Sequence, residues 1–208
     1  MQFTNTSPEK SALRGRLRKI RKDIPADTRK YAGRAIARFA LTHGLLARKR
    51  RLGLYIPSKG ELDCRPLLDR ALGLGADCYL PVVPRARQRM LWFSRPGAGP
   101  YWRANRYGIP EYGHRRSLRL RAAELDILFL PLLGFDESGF RMGMGGGYYD
   151  ASLAFLARRK HWRKPLLVGL AFDAQKVDRL PTDPWDIPLD AVITERRYYR
   201  FSSGNACR

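Results

Sequence analysis

The sequence predicts an α/β fold, a single three-layer domain with a mainly parallel sheet flanked by helices. Three observations predict it. Short apolar runs alternate with segments of helical periodicity, the order that lays crossover helices on a parallel sheet. The 208 residues are 44% apolar and 28% charged, a globular mixture long enough to bury a core without disulfides or metal. No internal repeat and no linker divides the chain, so residues 8–200 read as one domain. Residues 1–7 read as a disordered N-terminus and residues 201–208 as a C-terminal tail.

Each element has its own signal. Ser7 then Pro8 marks a helix start: a capping hydroxyl, then a residue whose missing N–H costs nothing in the first turn. Leu13, Leu17 and Ile20 form an apolar stripe on a basic helix that runs to about Lys22. Pro25 breaks it, and Asp27 caps a second helix with Tyr31, Ile36, Phe39 and Ala40 on one face, ending near Gly44. The run from Arg51 to Pro57 is a candidate buried strand. Asp63 caps a helix through Leu67, Leu68, Ala71 and Leu72, stopped at Gly73–Gly75. Strands follow at Cys78–Pro81 and Leu91–Phe93. Segment 95–121, with Pro96, Gly97, Gly99 and Pro100 ahead of many arginines, reads as a long surface excursion of the kind that binds ligands. Leu125–Leu133 is the central strand, Tyr148–Arg159 a helix, and Leu166–Phe172 and Ala191–Thr194 two more strands.

The net charge of +21 is unevenly placed. Residues 1–51 hold 15 basic and 3 acidic residues; residues 85–121 hold 10 basic residues and one acid, Glu111; the remainder is balanced. Such a field concentrates polyanions. No stretch approaches the roughly 18 apolar residues of a spanning helix, which excludes a helical membrane protein. The basic N-terminal segment never reaches an apolar core, which argues against a secretory signal. The cysteines Cys64, Cys78 and Cys207 lack CxxC spacing and are odd in number, so they read as free thiols of a reducing, cytoplasmic compartment. His43, His114 and His161 have no serine or aspartate partner pattern, and no catalytic triad is visible.

Chemistry concentrates in residues 125–150. An apolar strand runs into the turn Asp136-Glu-Ser-Gly139; Arg141 and four glycines, Gly143, Gly145, Gly146 and Gly147, then precede a helix. Bare glycines let backbone N–H groups approach a ligand, a helix start adds unpaired donors, and Arg141 adds a forked cation. Together they suit phosphate oxygens. Asp150 could hold a hydrated Mg²⁺ on those phosphates. The loop is neither a Walker A sequence nor GxGxxG, and the plainer reading is a tight strand-to-helix turn.

The decapeptide Arg141-Met-Gly-Met-Gly-Gly-Gly-Tyr-Tyr-Asp150 resembles the R-x-G-x-G-x-G-Y-Y-D motif of the 5-formyltetrahydrofolate cyclo-ligase (methenyltetrahydrofolate synthetase) family. Other segments resemble the family in the same order: Lys10-Ser-Ala-Leu-Arg14, Tyr55-Ile-Pro57 with Glu61 and Asp63, Leu80-Pro81 with Met90, and Tyr107-Gly-Ile-Pro-Glu111. The C-terminal third adds Gly169–Gln175, Leu180-Pro181, Asp186 and Ile193-Thr-Glu195, so the likeness spans roughly residues 8–197. The resemblance implies an ATP- and Mg²⁺-dependent ligase of one-carbon folate metabolism. In it, the formyl oxygen of 5-formyltetrahydrofolate takes the γ-phosphoryl group and N10 closes the ring.

The resemblance also implies roles. Lys10, Arg14 and the loop residues Arg141, Met142, Gly143, Met144, Gly145, Gly146, Gly147, Tyr148 and Tyr149 would bind ATP, with Arg141 and Tyr148 the catalytic pair. Ile56, Glu61, Tyr107, Met144, Gly145, Gly146, Gly147 and Tyr148 would bind the folate. Asp150 and Asp186 would hold Mg²⁺. Plainer readings stand beside these. Lys10 and Arg14 share a basic face with Arg16, Arg18, Lys19, Arg21 and Lys22; Ile56 suits core packing; Asp150 suits its own helix start. Tyr149 suits a core position, and Asp183 and Asp190 compete for the metal. Three departures are visible. Trp185 precedes Asp186 where the family usually has His, Tyr112 follows Glu111 where Pro is common, and Gly146 replaces a basic residue found in some relatives. That last charge must come from Arg141 or from an arginine of segment 85–121.

A monomer acting on ATP and on 5-formyltetrahydrofolate or its polyglutamylated forms follows from this reading, with nucleic acid held only nonspecifically by the basic segments. The rival is a basic nucleic-acid-binding protein without catalysis, stacking bases on Trp92, Phe93, Tyr101, Trp102 and Tyr107.

Overall fold

Five parallel strands, buried on both faces along most of their length, set the layers. The structure, a computed structural model, describes residues 7–58, 60–84, 88–97, 102–112, 118–158 and 164–201. Residues 1–6 and 202–208 of the expected tails, together with Tyr101, His114, Arg159, His161 and Cys207, lie outside them.

The strands in chain order are β1 (Arg51–Gly53), β2 (Asp77–Val82), β3 (Trp92–Ser94), β4 (Trp102–Ala104), β5 (Pro110–Tyr112), β6 (Arg119–Leu120), β7 (Ile127–Pro131), β8 (Gly134–Phe135), β9 (Arg141–Met142), β10 (Leu166–Leu170), β11 (Ala191–Ile193) and β12 (Tyr198–Arg200). Eight of them form one sheet in the order β12-β11-β10-β7-β1-β2-β3-β6. The five central strands pair in parallel; β12 on one side and β3 and β6 on the other pair antiparallel. The predicted α/β class and mainly parallel sheet are therefore present.

The helices are α1 (Pro8–Lys22), α2 (Ala26–Thr42), α3 (Arg65–Gly73) and α4 (Tyr148–Leu153). On one face of the sheet, Ile127, Phe129, Val168, Leu170, Ala191 and Ile193 pack with Ala32, Ile36 and Ala40 of α2 and Leu67 and Ala71 of α3. On the other face, Leu128, Leu130, Leu167 and Val192 pack with Leu153 and Leu156 of and beyond α4. The period of two in the strands thus divides the apolar side chains between two cores. A third, smaller cluster joins Leu17 of α1 to Leu133, Met142 and Leu180, with Leu13 and Ile20 against it, as the predicted stripe requires.

Several local expectations shift. Ser7 caps α1 as expected, accepting from the Lys10 N–H at 3.2 Å, but α2 starts at the Pro25 cap, so Asp27 lies in its first turn. Tyr31 is 52% exposed and leaves the inward face. Cys64, not Asp63, is the cap position of α3, and Asp63 accepts instead from the Arg65 backbone and guanidinium. The strand read over 51–57 has its last paired residue at Gly53; one more bond runs from the Leu54 N–H to the Tyr79 carbonyl at 2.9 Å, and the chain then leaves the sheet for the loop that carries Glu61. The helix read over 148–159 is α-helical only to Leu153 and continues as a 3₁₀ turn over Ala154–Arg158.

Segment 95–121 is less irregular than its composition suggests. The described part holds the β4–β5 hairpin and β6, which joins the main sheet. Its fold buries Glu111, whose carboxylate accepts from the Val83 N–H at 3.0 Å and from Arg103 at 3.1 Å. Two further features had no clear periodicity to reveal them: the two-residue strands β8 and β9, and the edge strand β12.

Candidate functional site

The loops that follow β1, β7 and β10 all leave the carboxyl ends of parallel strands, where α/β sheets place their ligands. The loop after β7 is built first. Leu133 donates to the Met142 carbonyl at 2.7 Å, and β8 pairs with β9. The buried Asp136 carboxylate closes this hairpin, accepting from the N–H groups of Ser138 and Phe140, each at 3.0 Å, and from Leu180 at 3.0 Å. The hairpin thereby delivers Arg141 and the glycines beside the 180–187 loop. Gly145 and Gly147 have φ of +97° and +67°, left-handed conformations that a side chain would oppose.

An open cleft lies here, lined by Lys10, Arg14, Arg141, Met142, Gly143, Gly145, Gly147, Asp150, Pro181, Asp183, Trp185 and Asp186. Arg14 donates from Nε to the Gly143 carbonyl at 3.3 Å. Arg141, buried at its guanidinium, meets Asp150 at 2.7 Å. Lys10 Nζ stands 2.6 Å from Asp183 Oδ2 and 3.5 Å from Asp186 Oδ2. Asp183 and Asp186 are themselves tied, the Asp183 N–H donating to the Asp186 carboxylate at 2.8 Å. Three cations and three carboxylates thus share one cleft.

The other half of the loop faces elsewhere. The Met144 carbonyl accepts from Arg18 at 3.5 Å, and its sulfur lies 3.9 Å from Arg21 Nη2. Tyr148 shares a hydroxyl–hydroxyl hydrogen bond of 2.8 Å with Tyr107 and accepts from Arg106. Burial, then the Tyr107 hydrogen bond, raises the Tyr148 phenol above its ordinary value. Ser152 fixes this residue, donating to the Tyr148 carbonyl at 2.6 Å while accepting from Leu91 at 2.8 Å. Tyr149 is partly buried against the second core, and burial, then Glu61, pushes its phenol up. Glu61 accepts from the Ser58 N–H at 2.8 Å and lies 3.9 Å from Arg21. Ile56 is partly buried against the first core.

A model of the 5-formyltetrahydrofolate cyclo-ligase family matches residues 6–195. The chain belongs to this family of ligases. It is 33% identical over 189 residues to the 5-formyltetrahydrofolate cyclo-ligase of Haemophilus influenzae, covering 89% of this chain and 97% of that one. It is 31% identical to the Escherichia coli protein of the same name, covering 89% and 100%. The structure of Aquifex aeolicus 5,10-methenyltetrahydrofolate synthetase superposes with a TM-score of 0.75 at 28% identity over 96% of each chain.

The cyclo-ligase motif is thus split in space. Lys10, Arg14, Arg141, Met142, Gly143, Gly145, Gly147, Asp150 and Asp186 share the cleft with the competing Asp183. Met144, Gly146, Tyr148 and Tyr149, with Ile56, Glu61 and Tyr107, do not line it. Asp190 is elsewhere, its carboxylate accepting from the Leu167 N–H at 2.8 Å beside the sheet. Of the two sources of charge named for the position of Gly146, Arg141 lines the cleft, and among the described residues of segment 85–121 no arginine does. Of the aromatics named for base stacking, Phe93 is fully buried, Trp92 is covered by Arg121 at 3.3 Å, and Trp102 meets Tyr112 edge-on.

Sequence reasoning missed Trp185 as a wall of the cleft and Arg21 and Arg106 as partners of the loop. A signal for Arg21 existed: Lys10, Arg14, Leu17 and Arg21 are spaced by four, three and four, one stripe of a helix.

Proposed function

We propose that the chain catalyses the ATP-dependent closure of 5-formyltetrahydrofolate to 5,10-methenyltetrahydrofolate, releasing ADP and phosphate. The observation that carries this reading is the gathering of Lys10, Arg14 and Arg141 in one cleft with the glycine loop, Asp150 and Asp186. Cations and free amides in a cleft suit a polyphosphate and the charge that develops as its terminal group is transferred.

The reaction divides into two steps. The formyl oxygen attacks the γ-phosphorus and displaces ADP. N10 then attacks the activated carbon, loses its proton, and the original oxygen leaves on phosphate. Positioning dominates such chemistry, and the chain's residues are suited to it. Lys10 and Arg14 hold the phosphates, and Arg141 faces the transferred group while Asp150 orients its guanidinium. Glu61 offers an acceptor to the amino and ring N–H donors of the pterin. Tyr148, oriented by Tyr107 and Arg106, lies against the folate with Ile56.

Among the described residues no three acidic, histidine or cysteine side chains form a protein-only metal cage. Mg²⁺ commonly reaches a site on one or two carboxylates and the substrate's own phosphates, and Asp150 and Asp186 on the cleft wall fit that donor set. When bound, Mg²⁺ would neutralise phosphate charge.

The same reading takes residues 8–200 as one domain, acting as a monomer in the cytoplasm. The basic surface draws in ATP and polyglutamylated folate and retains nucleic acid only nonspecifically. Among the described residues no helix is long and apolar enough to cross a membrane. The test is direct: the purified chain with 5-formyltetrahydrofolate and Mg-ATP should yield the methenyl product, followed by absorbance. Folded protein without product, combined with strong salt-sensitive RNA retention, would favour the binding-protein alternative.

A further inference from the structure

Arg21 stands at the end of α1 with only 6% of its surface exposed, although its sequence neighbours make it look like part of a solvated basic face. Its Nη1 lies 3.9 Å from Glu61 Oε1 and has no hydrogen-bond partner among the described residues. Its Nη2 approaches the Met144 sulfur at 3.9 Å. A Cβ at Gly60, where φ is +80°, would lie 3.6 Å from its Nε. The backbone is held too: Arg29 of α2 donates to the Arg21 carbonyl and, at 3.1 Å, to the Gly60 carbonyl. One guanidinium therefore touches the loop after β1, which carries Glu61, and the loop after β7, which carries the glycines. Burial lowers its pKa, with Glu61 the largest opposing influence. A cation kept inside with an unfilled donor is costly unless a partner fills it.

We propose that Arg21 is a positioning residue for the folate half of the site, holding the Glu61 carboxylate and the Met144 turn in fixed relation. One stripe of α1 then serves both substrates: Lys10 and Arg14 in the early turns face the nucleotide cleft, and Arg21 at the last turn sets the folate acceptor. The inference rests on the folate reading of Glu61 given above.

Steady-state kinetics of the full chain test it. Arg21→Gln should raise KM for 5-formyltetrahydrofolate about tenfold, the scale of one lost buried ion-pair contact, while KM for ATP and kcat change little. Because Arg21 acts through Glu61, the double variant R21Q/E61Q should be no worse in folate KM than E61Q alone. Arg21→Lys keeps the charge but not the fork and should restore part of the loss. Folded R21Q with unchanged folate KM, or R21Q and E61Q effects that multiply, would overturn the proposal. If R21Q loses its circular dichroism, R21K decides: a rise in folate KM alone supports the role, and an equal fall in kcat at constant KM values sinks it. Absence of turnover by the natural chain removes the cyclo-ligase reading as well, whereas natural turnover with an unshifted variant removes this one alone.

Discussion

Lys10, in the first turn of the chain's first helix, meets Asp183 at 2.6 Å across 173 positions of sequence. The contact joins the two ends of the chain at the cleft, and it sets a lysine against two carboxylates that would otherwise repel a polyphosphate. Lys10→Gln removes the cation and exposes those carboxylates at once. KM for ATP should rise by more than tenfold, read from initial rates at varied ATP, and Asp183→Asn in the same background should recover part of it.

Arg141 and Asp150, at 2.7 Å, lead to a second expectation. A lysine at position 141 keeps the charge but loses the planar fork that, on the proposed reading, would meet both Asp150 and a phosphoryl oxygen. Arg141→Lys should lower kcat by roughly 10²-fold, the scale for removing one donor to developing charge, with the unfolding midpoint little changed. Single-turnover formation of the methenyl product checks it.

Trp185 is 41% exposed and lines the cleft with Pro181. A large aromatic on such a wall can stack on a purine, worth roughly 1–3 kcal/mol by alanine substitution. Trp185→Ala should therefore weaken ATP binding about tenfold or more and leave inorganic tripolyphosphate unaffected. Quenching of its fluorescence on adding ATP, lost in the variant, reports the same contact; equal losses for both ligands would place the base elsewhere.

The Tyr107–Tyr148 pair carries a pH expectation. Burial, then Tyr107, raises the Tyr148 phenol above its ordinary 10.0. The native state therefore favours the neutral phenol. Its contribution to stability is whole below pH 10 and fades as pH rises through the raised native value. Stability against urea should decline in that alkaline window for the natural chain and decline less for Tyr148→Phe. The variant should also raise folate KM at pH 7.

Much of the fold could be read from the chain because local physics decided it. Ser7-Pro8 and the Leu13, Leu17, Ile20 stripe place α1 to within a residue, and the apolar run from Leu125 contains β7. Burial on both faces makes such a strand continuous in hydrophobicity. The hairpin β8–β9 was invisible for the opposite reason. Each strand has two residues, too few for any period, and its turn is held by the distant Leu180 N–H on Asp136. Asp63 and Asp27 misled as caps because α2 and α3 begin at Pro25 and Cys64 without any side-chain cap bond, so no capping signal marks their starts.

By itself the sequence determined the parallel core, the basic first helix and the glycine loop with its arginine, since each rests on spacing and composition within a few residues. Tertiary structure alone decided which acid meets which cation. It put Asp183 and Asp186 against Lys10, sent Asp190 to the sheet, buried Arg21 beside Glu61, and turned Tyr148 toward Tyr107 and Arg106. Those choices depend on loops that leave three separate strands and converge at one edge of the sheet. Charges distant in sequence become neighbours there.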